Sequence, residues 1–163
     1  MSNVLVIGAG NGGFAAAADL AIRKHQVVLY NRSNETLEPI RQQGGIRYTG
    51  TLGEGLAPLQ ETTQNLQKHT NWADLVLVCL PALAHKFVAK NLAPYLSERQ
   101  SILLSPGGMM GSLAFLHDLR IAGFEGNIQI AETGTLPYIC RKSDPGSIHI
   151  SNVLHDIPYA AFP

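Results

Sequence analysis

Charge is scarce and balanced in this sequence. Charged side chains make up 15% of it, and twelve Lys and Arg match twelve Asp and Glu. Nucleic acid is excluded as a partner, because its recognition rests on concentrated positive charge. Cysteine is nearly missing: Cys79 and Cys140 are the only two. Two isolated cysteines make no disulfide framework and fit a reducing cytoplasm. Cys79 falls in an apolar run and reads as a small buried hydrophobe. No apolar run approaches the length of a membrane span. The stretch Val4–Ile7 is too short for a secretory signal and has no basic flank. The six histidines show no metal-ligand spacing, so no metal is expected. What remains is 163 residues, 45% of them hydrophobic, enough for one domain with a real core.

Two kinds of segment alternate along the chain. Short β-branched runs predict buried strands at Val4–Ile7, Gln26–Tyr30, Leu75–Leu80, Ser101–Leu104 and Asn127–Ala131. Between them, Gly12–Lys24 is Ala-rich and helix-favouring, and Glu35–Gln43 follows a polar turn able to cap it. Leu83–Leu96 and Gly111–Ala122 complete the helices. Continuously apolar strands alternating with helices predict an α/β fold of the Rossmann type, a doubly wound, mostly parallel sheet with helices on both faces. Weaker runs at Ile46–Thr49 and Thr51–Leu56 predict a small hairpin or insertion, and Gln60–Ala73 a short helix. Ser147–Ser151 reads as a further strand. No polar tail or capping helix follows it, so residues 1–163 are expected to form one dinucleotide-binding domain, with a second domain lying outside this chain.

The strongest signal is Gly8-Ala9-Gly10-Asn11-Gly12-Gly13, a G-x-G-x-x-G after an apolar strand and at the start of an Ala-rich helix. Gly8 permits the tight turn out of the strand. Gly10 lets the backbone approach a pyrophosphate, and Gly13 lets helix and strand pack closely. The helix that follows turns its positive end toward the phosphates. Asn11 and Gly12 sit inside the same turn and share the expected contact. The alternative is a Gly-rich turn without a ligand.

The end of the second strand selects the dinucleotide. An NAD site places an acid there, about 20 residues beyond the glycines, to hold the ribose 2′-OH. Here Asn31-Arg32-Ser33 stands instead. Arg32 offers a planar cation for a 2′-phosphate, and Asn31 and Ser33 add neutral hydrogen bonds. NADP is therefore the expected cofactor, with NAD as the alternative. Arg32 as a solvated surface residue is the plain reading.

Later segments carry a resemblance. The glycine motif, then Leu80-Pro81-Ala82 with His85, then Leu104-Ser105-Pro106-Gly107-Gly108, then Ala131-Glu132-Thr133-Gly134-Thr135-Leu136-Pro137-Tyr138 with Cys140-Arg141, resemble in order the N-terminal half of the octopine/nopaline (opine) dehydrogenase family. The resemblance implies an NADP- or NAD-dependent oxidoreductase acting on a CH–NH bond. Such enzymes reductively join an amino acid to a 2-keto acid, with a catalytic His and Asp in a helical C-terminal domain. This chain has no counterpart of that domain, so no catalytic residue is assigned within it. The His155-Asp156 pair falls before the point where that domain begins in the family. Small amino-acid and keto-acid partners would be bound through the missing domain.

Other residues have two readings each. Leu80 and Pro81 stand at the strand edge where ligands of open α/β sheets bind, and either contact the cofactor or only start the next helix. His85, one turn on, is a cofactor contact or a partly exposed helix residue. Ser105–Gly108 offers close backbone approach or is a plain connection. Glu132, with Thr133, orients the nicotinamide or a substrate amine, or else caps a helix. Cys140 beside Arg141 is a low-pKa thiol or a structural cysteine. Two rival functions remain open: a ketopantoate-reductase-like or other 2-keto/3-hydroxy-acid reductase, and a non-catalytic dinucleotide sensor. An apolar surface left by a missing domain tends to seek a partner, so a homodimer through Ile148–Phe162 is expected.

Overall fold

The computed structural model describes residues 1–162. Five parallel crossovers build its main sheet. The strands are β1 (Asn3–Ile7), β2 (Gln26–Tyr30), β5 (Glu61–Thr63), β6 (Leu75–Val78), β7 (Ser101–Leu104), β8 (Gln129–Thr133) and β11 (Tyr159–Phe162). Their order across the sheet is β11-β8-β7-β6-β1-β2-β5, all parallel except β11, which runs antiparallel to β8. From β1 the chain first works outward to β5. It then returns to lay β6 on the other side of β1, with Val78 opposite Ile7. Strand order reverses at that seam, and in such sheets the crevice beyond the seam's carboxyl end receives ligands.

Helices cover both faces, as the alternation in the sequence predicts. On one face Val88 and Leu92 of α4 (His85–Leu92) and Phe115 and Leu119 of α5 (Gly111–Ile121) bury against Val76, Val78, Ile102 and Leu104, joined by Leu66 of the short α3 (Leu66–Thr70). On the other face lie α1 (Asn11–Ile22) and α2 (Asn34–Gln43). Beyond α1 is a second sheet of four strands in the order β4-β3-β10-β9: β3 (Gly45–Gly50), β4 (Gly55–Pro58), β9 (Tyr138–Lys142) and β10 (Ser147–Val153). Packed between two sheets, α1 has almost no solvent face. Phe14 and Ala15 to Ala18 are all buried, which is why the helix is written in alanine: larger side chains would not fit between two close-packed layers.

Asp19 is the exception inside α1. Its carboxylate binds Arg23 at 2.7 Å and accepts the Tyr138 hydroxyl at 3.0 Å. Burial, together with the Asp19 charge, holds the Tyr138 phenol above its ordinary pKa.

Several expectations are corrected. The helix expected over Leu83–Leu96 is three pieces: a 3-10 turn at Ala82–Ala84, then α4, then a 3-10 turn at Ala93–Tyr95. Pro94 has no N–H to continue the α-helical ladder. The strand expected at Asn127–Ala131 runs two residues later, as β8. Asn127 spends its N–H on the Glu98 carboxylate at 2.9 Å, and pairing with β7 begins at Gln129 opposite Ser101. Gln60–Ala73 contains β5 as well as the short helix. The expected hairpin is the antiparallel pair β3–β4, but its second strand starts at Gly55 rather than Thr51 and runs to Pro58. The strand expected at Ser147–Ser151 extends to Val153 as the centre of the second sheet, paired to β3 on one side and β9 on the other. Its Ile148 and Ile150 are buried and so are not available to a second copy, while Tyr159–Phe162 of β11, in the same segment expected to dimerise, are exposed.

Candidate functional site

The Gly-rich turn lies at the seam. Gly8 directly follows β1 with φ +109°, and a Cβ there would come within 2.7 Å of both the Cys79 carbonyl oxygen and the Leu80 side chain. Its N–H donates to Tyr30 O at 2.9 Å. A methyl at Gly13 would collide with the Gly8 carbonyl, so this glycine fixes the close approach of α1 to β1. Gly12 makes room for something else: a Cβ there would stand 2.6 Å from Leu136 Cδ2, in the loop between β8 and β9. Gly10 alone in the motif faces open space.

The helix begins at this opening. Gly10 is its N-cap residue, no side chain caps it, and no acid stands in its first turn. The first helical hydrogen bond runs from Phe14 N–H to Gly10 O at 3.0 Å. The N–H groups of Asn11, Gly12 and Gly13 therefore lie outside the helical ladder, as at any helix start. These donors, the helix dipole and the bare Gly10 Cα fit a diphosphate; nothing in the turn repels one. The Asn11 side chain is already engaged, since its Oδ1 accepts the Lys142 N–H at 3.0 Å.

Beside the turn opens a cleft of about 460 Å³. Gly8, Tyr30, Asn31 and Arg32 line one wall, and Leu80, Pro81, Leu83 and Phe87 the other. Asn31 ties the wall to the turn: its Oδ1 accepts Ala9 N–H at 3.4 Å, and its Nδ2 donates to Ser33 O at 3.3 Å. Arg32 is exposed, with its guanidinium 5.5 Å from the centre of the Phe87 ring, a cation–π distance. Ser33 stands at the N-cap position of α2 but makes no capping hydrogen bond. The cap expected there is absent. Leu80 packs on Gly8, and Pro81 opens the 3-10 turn with Ala84 N–H on its carbonyl at 2.8 Å.

His85 is buried rather than partly exposed, with its ring edge-on to Phe115. Its Nε2 lies 3.1 Å from Leu80 O. A carbonyl only accepts, so Nε2 carries the proton. Burial pulls the imidazole below its ordinary pKa.

Glu132 reaches across from β8, and its Oε2 accepts the Ser112 N–H of α5 at 2.6 Å. This is the helix-capping alternative. Gly107 is packed directly on Glu132, and its N–H donates to Thr133 O at 3.0 Å. Ser105–Gly108 is thus pinned to β8, while Gly108 faces open space and Met109 and Met110 project into solvent. Burial pushes the Cys79 thiol up to about 12 and raises Cys140 as well, so neither is the low-pKa thiol considered for Cys140. Among the described residues, no group of three His, Cys, Asp or Glu side chains is placed to hold a metal ion, and no helix is long and apolar enough to cross a membrane.

Two participants had no signal in the sequence. Phe87 looks like one more apolar position on a helix. Lys142 lies more than 130 residues from the turn it touches, with Nζ 3.2 Å from Ala9 O.

A strand-order seam, a glycine turn opening a helix at that seam and a cleft alongside define a doubly wound dinucleotide-binding domain. The chain belongs to the ketopantoate reductase PanE/ApbA family, whose model matches residues 4–124. It is 32% identical over 158 residues to the opine dehydrogenase of Arthrobacter sp. (strain 1C), an alignment spanning 97% of this chain and 44% of that protein. It is 33% identical over 112 residues to a glycerol-3-phosphate dehydrogenase of Exiguobacterium sp., spanning 67% of this chain and 32% of that protein. The chain therefore spans less than half the length of these curated relatives. The fold is shared with octopine dehydrogenase in its complex with NADH and pyruvate, at TM-score 0.85 and 20% identity over 99% of this chain and 43% of that one. It is shared too with NADP+-bound yersinopine dehydrogenase, at 0.81 and 17% over 99% and 41%.

Proposed function

We propose that this chain is the coenzyme-binding domain of an opine-dehydrogenase-like oxidoreductase of the cytoplasm, and that it prefers NADP(H) to NAD(H). The observation that carries the reading is the opening at Gly10, bare of side chains and facing the helix start. The diphosphate would rest on the amides there. Asn31, Arg32 and Ser33 would receive the adenosine ribose, with the exposed guanidinium serving a 2′-phosphate. Leu80 and Pro81 would pack against the coenzyme along the cleft. Glu132 would reach the nicotinamide end only with a carboxylate oxygen not engaged by Ser112. The bound coenzyme would supply a hydride; this chain's share is to orient it and to exclude water around it. A helical domain, accounting for the greater length of the relatives, would bring the acid–base pair and the amino-acid and keto-acid sites. A homodimer would pair through the exposed edge strand β11, and a monomer mass independent of concentration would count against it.

The family match over residues 4–124 favours a second reading, a ketopantoate-reductase-like enzyme acting on a keto acid alone. The opine relative aligns over nearly the whole chain, second sheet included, and this supports the first. Calorimetric titration with NADPH and NADH side by side tests the cofactor. Arg32→Ala should cost NADPH about 1–3 kcal/mol and leave NADH nearly unchanged; equal losses refute the 2′-phosphate role. In the full-length protein, NADPH oxidation that requires both an amino acid and a 2-keto acid supports the opine reading. Oxidation with the keto acid alone supports the second, and tight binding without turnover supports a sensor.

A further inference from the structure

We propose that Lys142 is a phosphate-binding residue of the coenzyme site, delivered to the glycine turn by the second sheet. The inference rests on the dinucleotide reading above and adds a cation to it.

Three contacts hold the residue in place. Its main-chain N–H donates to Asn11 Oδ1 at 3.0 Å, at the first residue of α1. Its stem runs back over the turn, with Nζ 4.6 Å from the centre of the Phe14 ring. The ammonium donates to Ala9 O at 3.2 Å, inside the glycine motif and next to the open Gly10. An ammonium has three N–H donors, and the Ala9 carbonyl takes one.

Among the described residues Lys142 forms no ion pair, although Glu35 and Asp144 line the hollow of about 570 Å³ that it also lines. A surface lysine normally lets its head group run into water. This one is turned back onto a helix start whose free amides already favour an anion. Phosphate oxygens brought to Gly10 would meet the two unused donors, a charge-assisted contact stronger than one between neutral groups. The plain alternative is that Lys142 only pins β9 to the turn through Ala9 O.

The two alternatives differ in their response to salt. NADPH and NADH are titrated into the wild-type chain, Lys142→Met and Lys142→Arg, at low and at raised ionic strength. Lys142→Met should weaken binding by roughly tenfold at low salt. The deficit should shrink as salt rises, because screening removes an electrostatic contact and spares a packing one. Lys142→Arg should stay near wild type. Equal loss for both coenzymes places the ammonium on the diphosphate, and loss for NADPH alone places it on the 2′-phosphate; either supports the proposal. Unchanged affinity in Lys142→Met overturns it, and so does a loss that salt does not alter. If Lys142→Met does not fold, Lys142→Gln takes its place with the same outcomes. If the wild-type chain binds neither coenzyme, the glycine-turn reading itself fails and this proposal falls with it.

Discussion

The Tyr138 hydroxyl donates to Asp19 across 3.0 Å, linking the outer sheet to the first helix. The pair sits where the alanine-rich first helix admits its one acid. Tyr138→Phe deletes the bond and leaves Asp19 paired with Arg23 alone, which should cost about 1–3 kcal/mol of folding stability. Folded Tyr138 holds its proton more tightly than the unfolded residue, whose pKa is near 10.0. The wild-type contribution is therefore complete below pH 10 and declines as pH climbs past it. Denaturant unfolding across the alkaline range should show a gentler fall for the variant. Parallel curves would show that Tyr138 is not the group that titrates.

Gly10 and Gly13 make opposite predictions. Gly10 has φ −79°, ordinary for any residue, and open space where a Cβ would go. Gly10→Ala should leave the unfolding midpoint within the roughly 0.5 kcal/mol typical of surface changes and still weaken dinucleotide binding, because the methyl stands where the diphosphate would approach. Gly13→Ala should destabilise the fold itself, its methyl driven into the Gly8 carbonyl. Matched thermal melts and titrations separate the two. A Gly10→Ala chain that binds NADPH like wild type would remove the main support for the proposed site.

Glu132 can be assigned by the same pairing of measurements. Glu132→Ala should cost about 0.5–2 kcal/mol, the range for a lost helix cap, while Glu132→Gln keeps an acceptor for Ser112 N–H and should cost less. If coenzyme affinity falls in Glu132→Gln while stability holds, the carboxylate touches the ligand. If stability alone responds, it is a cap.

Legibility in the sequence followed the range of the physics. The five central strands and the glycine turn depend on local patterns, apolar runs and required glycines, and they stand where the sequence places them to within two residues. Asn31, Arg32 and Ser33 fall at the end of β2 for the same reason. The second sheet was invisible as a sheet, because β3 and β10 pair across about a hundred residues and no local signal encodes that register. Lys142 was invisible with it. His85 read as half-exposed because a helix pattern does not reveal that the preceding turn folds it inward onto the Leu80 carbonyl.

The alanines of α1 have a further consequence. The family match ends at residue 124, yet β9 and β10 come after it and form part of the lid over that helix. A fragment cut at the match boundary would keep every glycine of the motif while stripping cover from Phe14 and its alanine neighbours. Such a piece should clump through that bared flank rather than fold, so the nucleotide seat at the start of the chain depends on strands written near its end.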